Sequence, residues 1–436
     1  MPRVVITGIG IVSPLGVGTA AHWAGTLEGR VALAPVRQFN ASGFDCAIAG
    51  EVPDYKIGDF VPKTYRKATK VMARDIELAV IAADQAMKDA GIQTRAHVEK
   101  PAFDPIRFGC NIGAGLISAE LNELTGAMAS ARGDDGASLD LRKWGAEGMQ
   151  QLTPLWLLKY LPNMLACHVT IIHGLMGPSN TITCDSASSH LAIGEAFRTI
   201  QRGKADLAIC GGAESRINPM GMMRQQLLGR LNRTHNDRPG DAVRPFDADA
   251  AGAVCGEGGG LLVLEDYDHA RARGVRIYAE VVGFGASQDT TSPTEPDATG
   301  APVARATRAA LRDAKLDPGE VGLIVPHGLG LPQADQAELK GLQSTFGESL
   351  GKPFFAPLKA QTGSLAAGTG ADIATTVLAL AEGKVPPAVN TRSIIGGAKL
   401  NVSPTTREAP ITTAITLASS LGGQNAAIVL QRVQVR

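Results

Sequence analysis

Apolar and polar positions alternate between two periods along this chain. Val4–Ile6 is a short apolar run that predicts a strand, closed by Thr7-Gly8-Ile9-Gly10. Its Gly-x-Gly lacks a third glycine at dinucleotide-site spacing, and Ser13-Pro14-Leu15-Gly16 does not open a helix, so no nucleotide site is read here. A helix-like stretch begins at His22-Trp23, and residues 32–60 read as loops and short strands. Met72, Ile76, Val80 and Ala83 recur at helical spacing, predicting a long helix opened by the basic cluster Lys63–Lys70. Residues 127–150 are polar and glycine-rich and read as a loop or mobile insertion; Thr153–His168 reads as a helix. Thr181–Thr183 feeds a turn of small residues, then a helix from Ala187 through Ile200. Buried strands follow at residues 205–214 and 261–264, with Met220–Leu231 between them as an apolar loop whose methionines fill core or touch apolar ligand.

Two segments repeat. The helix ending Lys88-Asp89-Ala90-Gly91-Ile92 precedes a strand at 107–112, and the helix ending Arg312-Asp313-Ala314-Lys315-Leu316 precedes one at 321–325. Residues 193–204 likewise resemble 373–384. We therefore expect two similar α/β halves, 1–266 and 267–436, each a mixed five-stranded sheet, together sandwiching buried helices.

Composition narrows the class. With 436 residues, 44% hydrophobic, there is ample core; 51 glycines against 4% aromatics favour close-packed elements with many tight turns. Zero formal net charge gives no bulk attraction to nucleic acid. Six cysteines without a CxxC pair fit reduced thiols, no apolar run reaches membrane-spanning length, and Met1–Gly8 has no signal-peptide layout, so a cytoplasmic location is expected. No metal or cofactor motif is present, and none is expected.

The chemistry centres on Cys184-Asp185-Ser186-Ala187-Ser188-Ser189-His190, a strand-to-helix turn with Ser186 at its apex. Such a turn exposes a side chain at a helix N-terminus. The segment resembles the nucleophile turn of β-ketoacyl-acyl-carrier-protein synthases, the condensing enzymes of fatty-acid and type II polyketide synthesis. Gly177-Pro178 upstream and Ile193-Gly194 downstream fix the register and put Ser186 where that family has cysteine. Ala205–Glu214, Arg244-Pro245-Phe246-Asp247 and Gly256-Glu257-Gly258 also follow the family pattern, so the resemblance covers nearly the whole chain. It implies a thiolase-like fold: two similar halves in layered α-β-α-β-α order.

It also implies a changed site. A serine hydroxyl needs a base, because a helix dipole worth about 0.3–1 kcal/mol does not ionise it. His190 is one turn on, but an i+4 side chain points back along the helix, so we read it as a packed histidine. His327, after Val325-Pro326, matches the first catalytic histidine. Leu329 and Leu331 replace two pantetheine-binding threonines, while Pro332 and Asp335 match. Lys359 is kept, but Ser364 stands for the second histidine and Ile373 for a glutamate. Losing donors aimed at an oxyanion removes roughly 10²–10³-fold in rate for each. Leu421 replaces the gating phenylalanine, and the glycines and Asn425 remain. Lys63, Arg66 and Lys67 match the family's docking residues for an acidic acyl carrier protein; the plainer reading is a solvated basic face.

The reading is a non-elongating partner subunit, similar to the chain-length factor of type II polyketide systems. It would bind acyl carrier protein with a phosphopantetheine-linked chain and form a homodimer or a heterodimer with an intact ketosynthase. The alternative is a Ser186-dependent acyltransferase, decarboxylase or atypical 3-oxoacyl-acyl-carrier-protein synthase.

Overall fold

The structure, a computed structural model, describes residues 1–433. Its main sheet has eleven strands, ten along one path and a short Gly16–Val17 strand paired beside the first. The ten are β1 Val4–Ser13, β2 Phe108–Ala114, β3 Ser179–Ile182, β4 Leu207–Ser215, β5 Glu257–Asp266, β6 Ala279–Gln288, β7 Leu323–Val325, β8 Phe354–Phe355, β9 Thr413–Ser419 and β10 Gln424–Gln431. Six helices carry the layers: α1 Arg74–Asp89, α2 Met164–His173, α3 Ser188–Gln201, α4 Ala301–Ala314, α5 Pro332–Phe346 and α6 Gly370–Glu382. In chain order these read β-α-β-α-β-α-β-β, twice.

The sheet order is β8-β7-β9-β10-β6-β1-β5-β4-β2-β3. Each half thus has the order 3-2-4-5-1, with the same senses. β2 is parallel to β3 and β4, and β5 antiparallel to β4 and β1. β7 is parallel to β8 and β9, and β10 antiparallel to β9 and β6. The halves join edge to edge where Val4–Ile6 pair antiparallel with Ala279–Val281. Beyond that seam α3 and α6 each touch strands of both halves. α1 and α2 cover the outside of one half, α4 and α5 the other. This is the expected α-β-α-β-α layering.

Central position explains the character of α6. Gly370 through Leu380 are all buried, so the helix is apolar all round. Its threonines satisfy themselves: Thr375 and Thr376 hydroxyls donate to Ala371 O and Asp372 O at 2.7 and 2.8 Å. The repeated helices are equally specific. A Cβ at Gly8 would meet Ala86 O of α1 and Cβ of Ala90, which caps it; one at Gly283 would meet Ala310 O and Ala314 Cβ of α4. Thr7-Gly8-Ile9-Gly10 is therefore a helix-packing strand, and Val282-Gly283-Phe284-Gly285 is its counterpart.

Four local expectations are corrected. The basic cluster does not open α1: Lys63–Val71 is a separate 3₁₀ stretch, and extended Met72 and Ala73 divide it from α1. Residues 127–150 are not a plain loop, because short helices span Leu121–Ser130 and Leu141–Ala146. Thr153–His168 is broken: a 3₁₀ turn at Trp156–Tyr160 ends before Pro162, and α2 starts at Met164. Met220–Leu231 is largely helical, over Pro219–Leu227, with Asn218 Oδ1 accepting Gly221 N at 2.7 Å as its cap.

Candidate active site

Strand β3 ends at Ile182, and α3 begins at Ser188. The turn between them carries Asp185 at φ 48°, a left-handed conformation that Asp tolerates. Ser188 Oγ accepts Cys184 N at 2.8 Å and donates to Asp185 O at 2.6 Å. From the other half, Ser420 Oγ accepts Ala187 N at 3.2 Å and donates to Cys184 O. Thr369 Oγ1 donates to Ser186 O at 2.8 Å. Both halves therefore fix the apex.

Asp185 is also held by the half-buried Arg216, which bonds Glu214 Oε1 at 2.7 Å as well. Burial alone would raise the Asp185 carboxyl, but the charge and hydrogen bond of Arg216 outweigh it and hold it below the usual range. Glu214 Oε2 accepts Ala367 N at 2.8 Å, tying this ion cluster to the turn before α6.

Ser186 is 3% exposed and lines a cavity with Arg216, Arg230, Ser364, Leu329, Leu331 and Leu421. The cavity volume is about 30 Å³. That is room for one or two waters, against roughly 300–1,000 Å³ in ordinary ligand sites. Ala253, Leu329, Leu331 and Leu421 pack on one another along its wall and narrow it. Ser364 is positioned by its N–H on Val254 O at 2.8 Å and by pairing with Cys255. Among the described residues Ser186 Oγ has no hydrogen-bond partner.

His190 is fully buried between Thr369 and Thr416, its Nδ1 and Nε2 3.4 and 3.3 Å from their hydroxyls. Burial, with His327 and Lys359 nearby, drives it well below its ordinary pKa. It is the packed histidine expected, and no Ser186–His190 dyad forms.

His327 leaves the end of β7 and lines a second small cavity with Leu421 and Asn425. Leu421 walls both cavities. The His327 loop hangs on two acids of α5. Glu338 accepts His327 N and Gly328 N at 2.7 and 2.9 Å; Asp335 accepts Leu329 N and Gly330 N at 2.9 and 3.0 Å. Burial pushes both carboxyls up to about 7 against those bonds. Burial, then the charge of Lys359, lowers His327 to about 3, so the ring is neutral; among the described residues neither ring nitrogen has a partner. Asn425 is the second residue of β10, its amide near Gly423 O at 3.5 Å.

Lys359 is buried on Asp372. Burial raises the Asp372 carboxyl even against that cation. Ile373 stands at the position expected to hold an acid, and the acid that pairs with Lys359 lies one residue earlier, at Asp372, the single acid in the apolar opening of α6. Ile373 is fully buried in the core. Lys63, Arg66 and Lys67 do not join the cavities. They are exposed on the 3₁₀ stretch, which Tyr65 OH anchors on His168 Nδ1 at 2.9 Å.

Among the described residues no cluster of three or more His, Cys, Asp or Glu could hold a metal ion, and no helix is long and apolar enough to cross a membrane.

Residues 1–270 match the β-ketoacyl synthase N-terminal domain, and residues 278–392 match the β-ketoacyl synthase C-terminal domain. The chain is 33% identical over 434 residues to 3-oxoacyl-[acyl-carrier-protein] synthase 2 of Vibrio harveyi, covering 99% of each. It is 34% identical over 442 residues to the enzyme of that name from Rhizobium meliloti, again over 99% of each. A crystal structure of a β-ketoacyl synthase from Burkholderia phymatum superposes with a TM-score of 0.86 at 29% identity, over 100% of both chains. The ishigamide ketosynthase/chain length factor superposes with a TM-score of 0.84 at 27% identity, over 99% of this chain and 100% of that one. The chain belongs to the β-ketoacyl synthase family.

Proposed function

We propose that this chain is a non-elongating ketosynthase-like subunit that works beside an intact ketosynthase, as a chain-length factor does. The carrying observation is the narrow cavity: Leu329, Leu331 and Leu421 crowd the space in front of Ser186 and leave about 30 Å³. A pantetheine arm needs a channel there. Elongation further needs a nucleophile with a base and two donors toward the developing enolate, and such groups act as a unit. Ser186 has no base in hydrogen-bond reach, and Ser364 offers one hydroxyl where an imidazole would reach further.

Partnering has support of its own. β3 is the outer edge of its half, with Ser179 and Asn180 exposed, and an unpaired edge is a template for another chain. Lys63, Arg66 and Lys67 present an exposed basic face to an acidic carrier protein. In this reading residues 1–266 and 267–436 are the two halves of one subunit.

A second reading draws on His327, neutral and with free ring nitrogens beside a cavity: decarboxylation of a malonyl group, or acyl transfer through Ser186. Intact-protein mass spectrometry after incubation with acyl- and malonyl-carrier protein separates them, with Ser186→Ala alongside. The partner-subunit reading expects no adduct and no carbon dioxide. One acyl group gained by the wild type and lost in the variant would sink it, as would carbon dioxide release dependent on His327.

A further inference from the structure

The two halves differ at one strand edge. In the N-terminal half α1 closes the outward amides of β1: Ile9 N donates to Asp89 Oδ2 at 2.8 Å, and Ile11 N to Gln85 Oε1 at 3.1 Å. The C-terminal half repeats the first bond, with Phe284 N donating to Asp313 Oδ2 at 2.9 Å. It does not repeat the second. The residue matching Ile11 is Ala286, and the one matching Gln85 is Ala309, which has no side chain to offer. Strand alternation turns Ala286 N–H the same way as Phe284 N–H, away from β10. Among the described residues it has no partner.

Ala286 and Ala309 both line an open groove of about 560 Å³. Arg305, Arg308 and Arg312 of α4 line it too, all exposed and spaced to share one helix face. Arg305 bonds Gln288 O at 3.1 Å, and Arg308 bonds Ser344 Oγ at 2.8 Å. None of the three is ion-paired among the described residues, and Asp317 is the single carboxylate lining the groove. A chain of zero net charge thus keeps a local positive excess against an open strand edge.

We propose that this groove binds an extended acidic segment of a partner protein, which pairs with β6 at Ala286 and lays carboxylates against the arginines. The lengths agree. Arg305 to Arg312 spans about 10.5 Å of helix axis, which an extended chain covers in about three residues. The chemistry agrees as well: a strand edge supplies main-chain bonds, and guanidinium forks match carboxylates. The site lies on α4 and β6, elements that carry neither Ser186 nor the Lys63–Lys67 face.

The test uses the full chain and an end-capped, fluorescein-labelled hexaglutamate peptide, read by anisotropy at low salt and by amide exchange over residues 279–288. Binding is expected to slow exchange of the Ala286 amide. R305A/R308A/R312A should weaken binding roughly tenfold, the sum of three exposed pairs. Ala309→Gln keeps every arginine and supplies the missing cap; it should weaken binding and abolish the exchange protection. Lys63→Ala/Arg66→Ala/Lys67→Ala should leave the affinity unchanged. The proposal is overturned if the triple arginine variant binds like wild type, or if the Lys63 variant accounts for the loss. Full displacement of the peptide by inorganic phosphate at matched ionic strength would make this a small-anion site and overturn it too.

Discussion

Lys359 and Asp372 form an ion pair inside the layer between the two half-sheets, their side chains 1% and 5% exposed. Removing one partner strands the other. Asp372→Ala is expected to cost about 3–5 kcal/mol, because an uncompensated ammonium stays buried. Lys359→Met/Asp372→Leu should cost much less, since the charge and its desolvation leave together. Urea denaturation of both variants checks this; equal losses would mean that the pair is not what holds the two groups there.

The leucine wall gives a second expectation. Each of Leu329→Ala, Leu331→Ala and Leu421→Ala should destabilise by about 2–5 kcal/mol, toward the lower end because the cluster is small. They should also open the space in front of Ser186. A cysteine at that position reports on access: Ser186→Cys alone should resist iodoacetamide, and Ser186→Cys with the three alanines should be alkylated. Peptide-level mass spectrometry separates the signal from Cys184, which is half-buried two residues away. Ready alkylation of the single variant would show that the wall is not closed in solution.

The two-half organisation and the strand-to-helix turn were legible because they are written in local pattern: repeated helix endings, and a turn bracketed by Gly177-Pro178 and Ile193-Gly194; the order of the strands was not. The break before α1 was not. Met72 is buried like Ile76 and Val80, so the apolar period runs straight through a backbone that has left the helix. Two missed helices did carry readable starts. Asn218-Pro219 is a cap followed by a first-turn proline, and Asp140 Oδ1 accepts Arg142 N at 2.8 Å. The narrow cavity was not derivable, since Ala253 and Leu421 meet the Leu329–Leu331 segment only through the fold.

The same repeat supplies a third expectation. Gly10 and Gly285 occupy matching places, and a Cβ on either would run into a backbone carbonyl, Ala82 O or Ala306 O. Gly10→Ala and Gly285→Ala should each cost about 1–3 kcal/mol as overpacking pushes strand and helix apart. Gly43, with open space around it, is the control and should change little on substitution. Thermal unfolding of the three variants checks this, and a neutral Gly285→Ala would mean that α4 yields more easily than α1.

The His327 loop predicts a pH dependence with opposing signs. His327 has a folded pKa of about 3 against an ordinary 6.5. The unfolded chain therefore binds the proton first, and the stability carried by the neutral ring is full above pH 6.5 and lost as pH falls toward 3. Asp335 and Glu338 run the other way. Raised to about 7 from 3.8 and 4.5, they contribute fully below those ordinary values and lose the contribution as pH rises to about 7. Burial also pushes His22, His168 and His173 down, so they share the acid limb, and the test is the difference between variant and wild type. Relative to wild type, His327→Leu should gain stability as pH falls from 6.5 to 3. Asp335→Asn/Glu338→Gln removes both titrations at the cost of one acceptor oxygen on each side chain; it should start less stable than wild type and gain, relative to it, as pH rises from 4 to 7. Urea midpoints across that range decide it: parallel curves for wild type and both variants would mean that the loop does not titrate on folding.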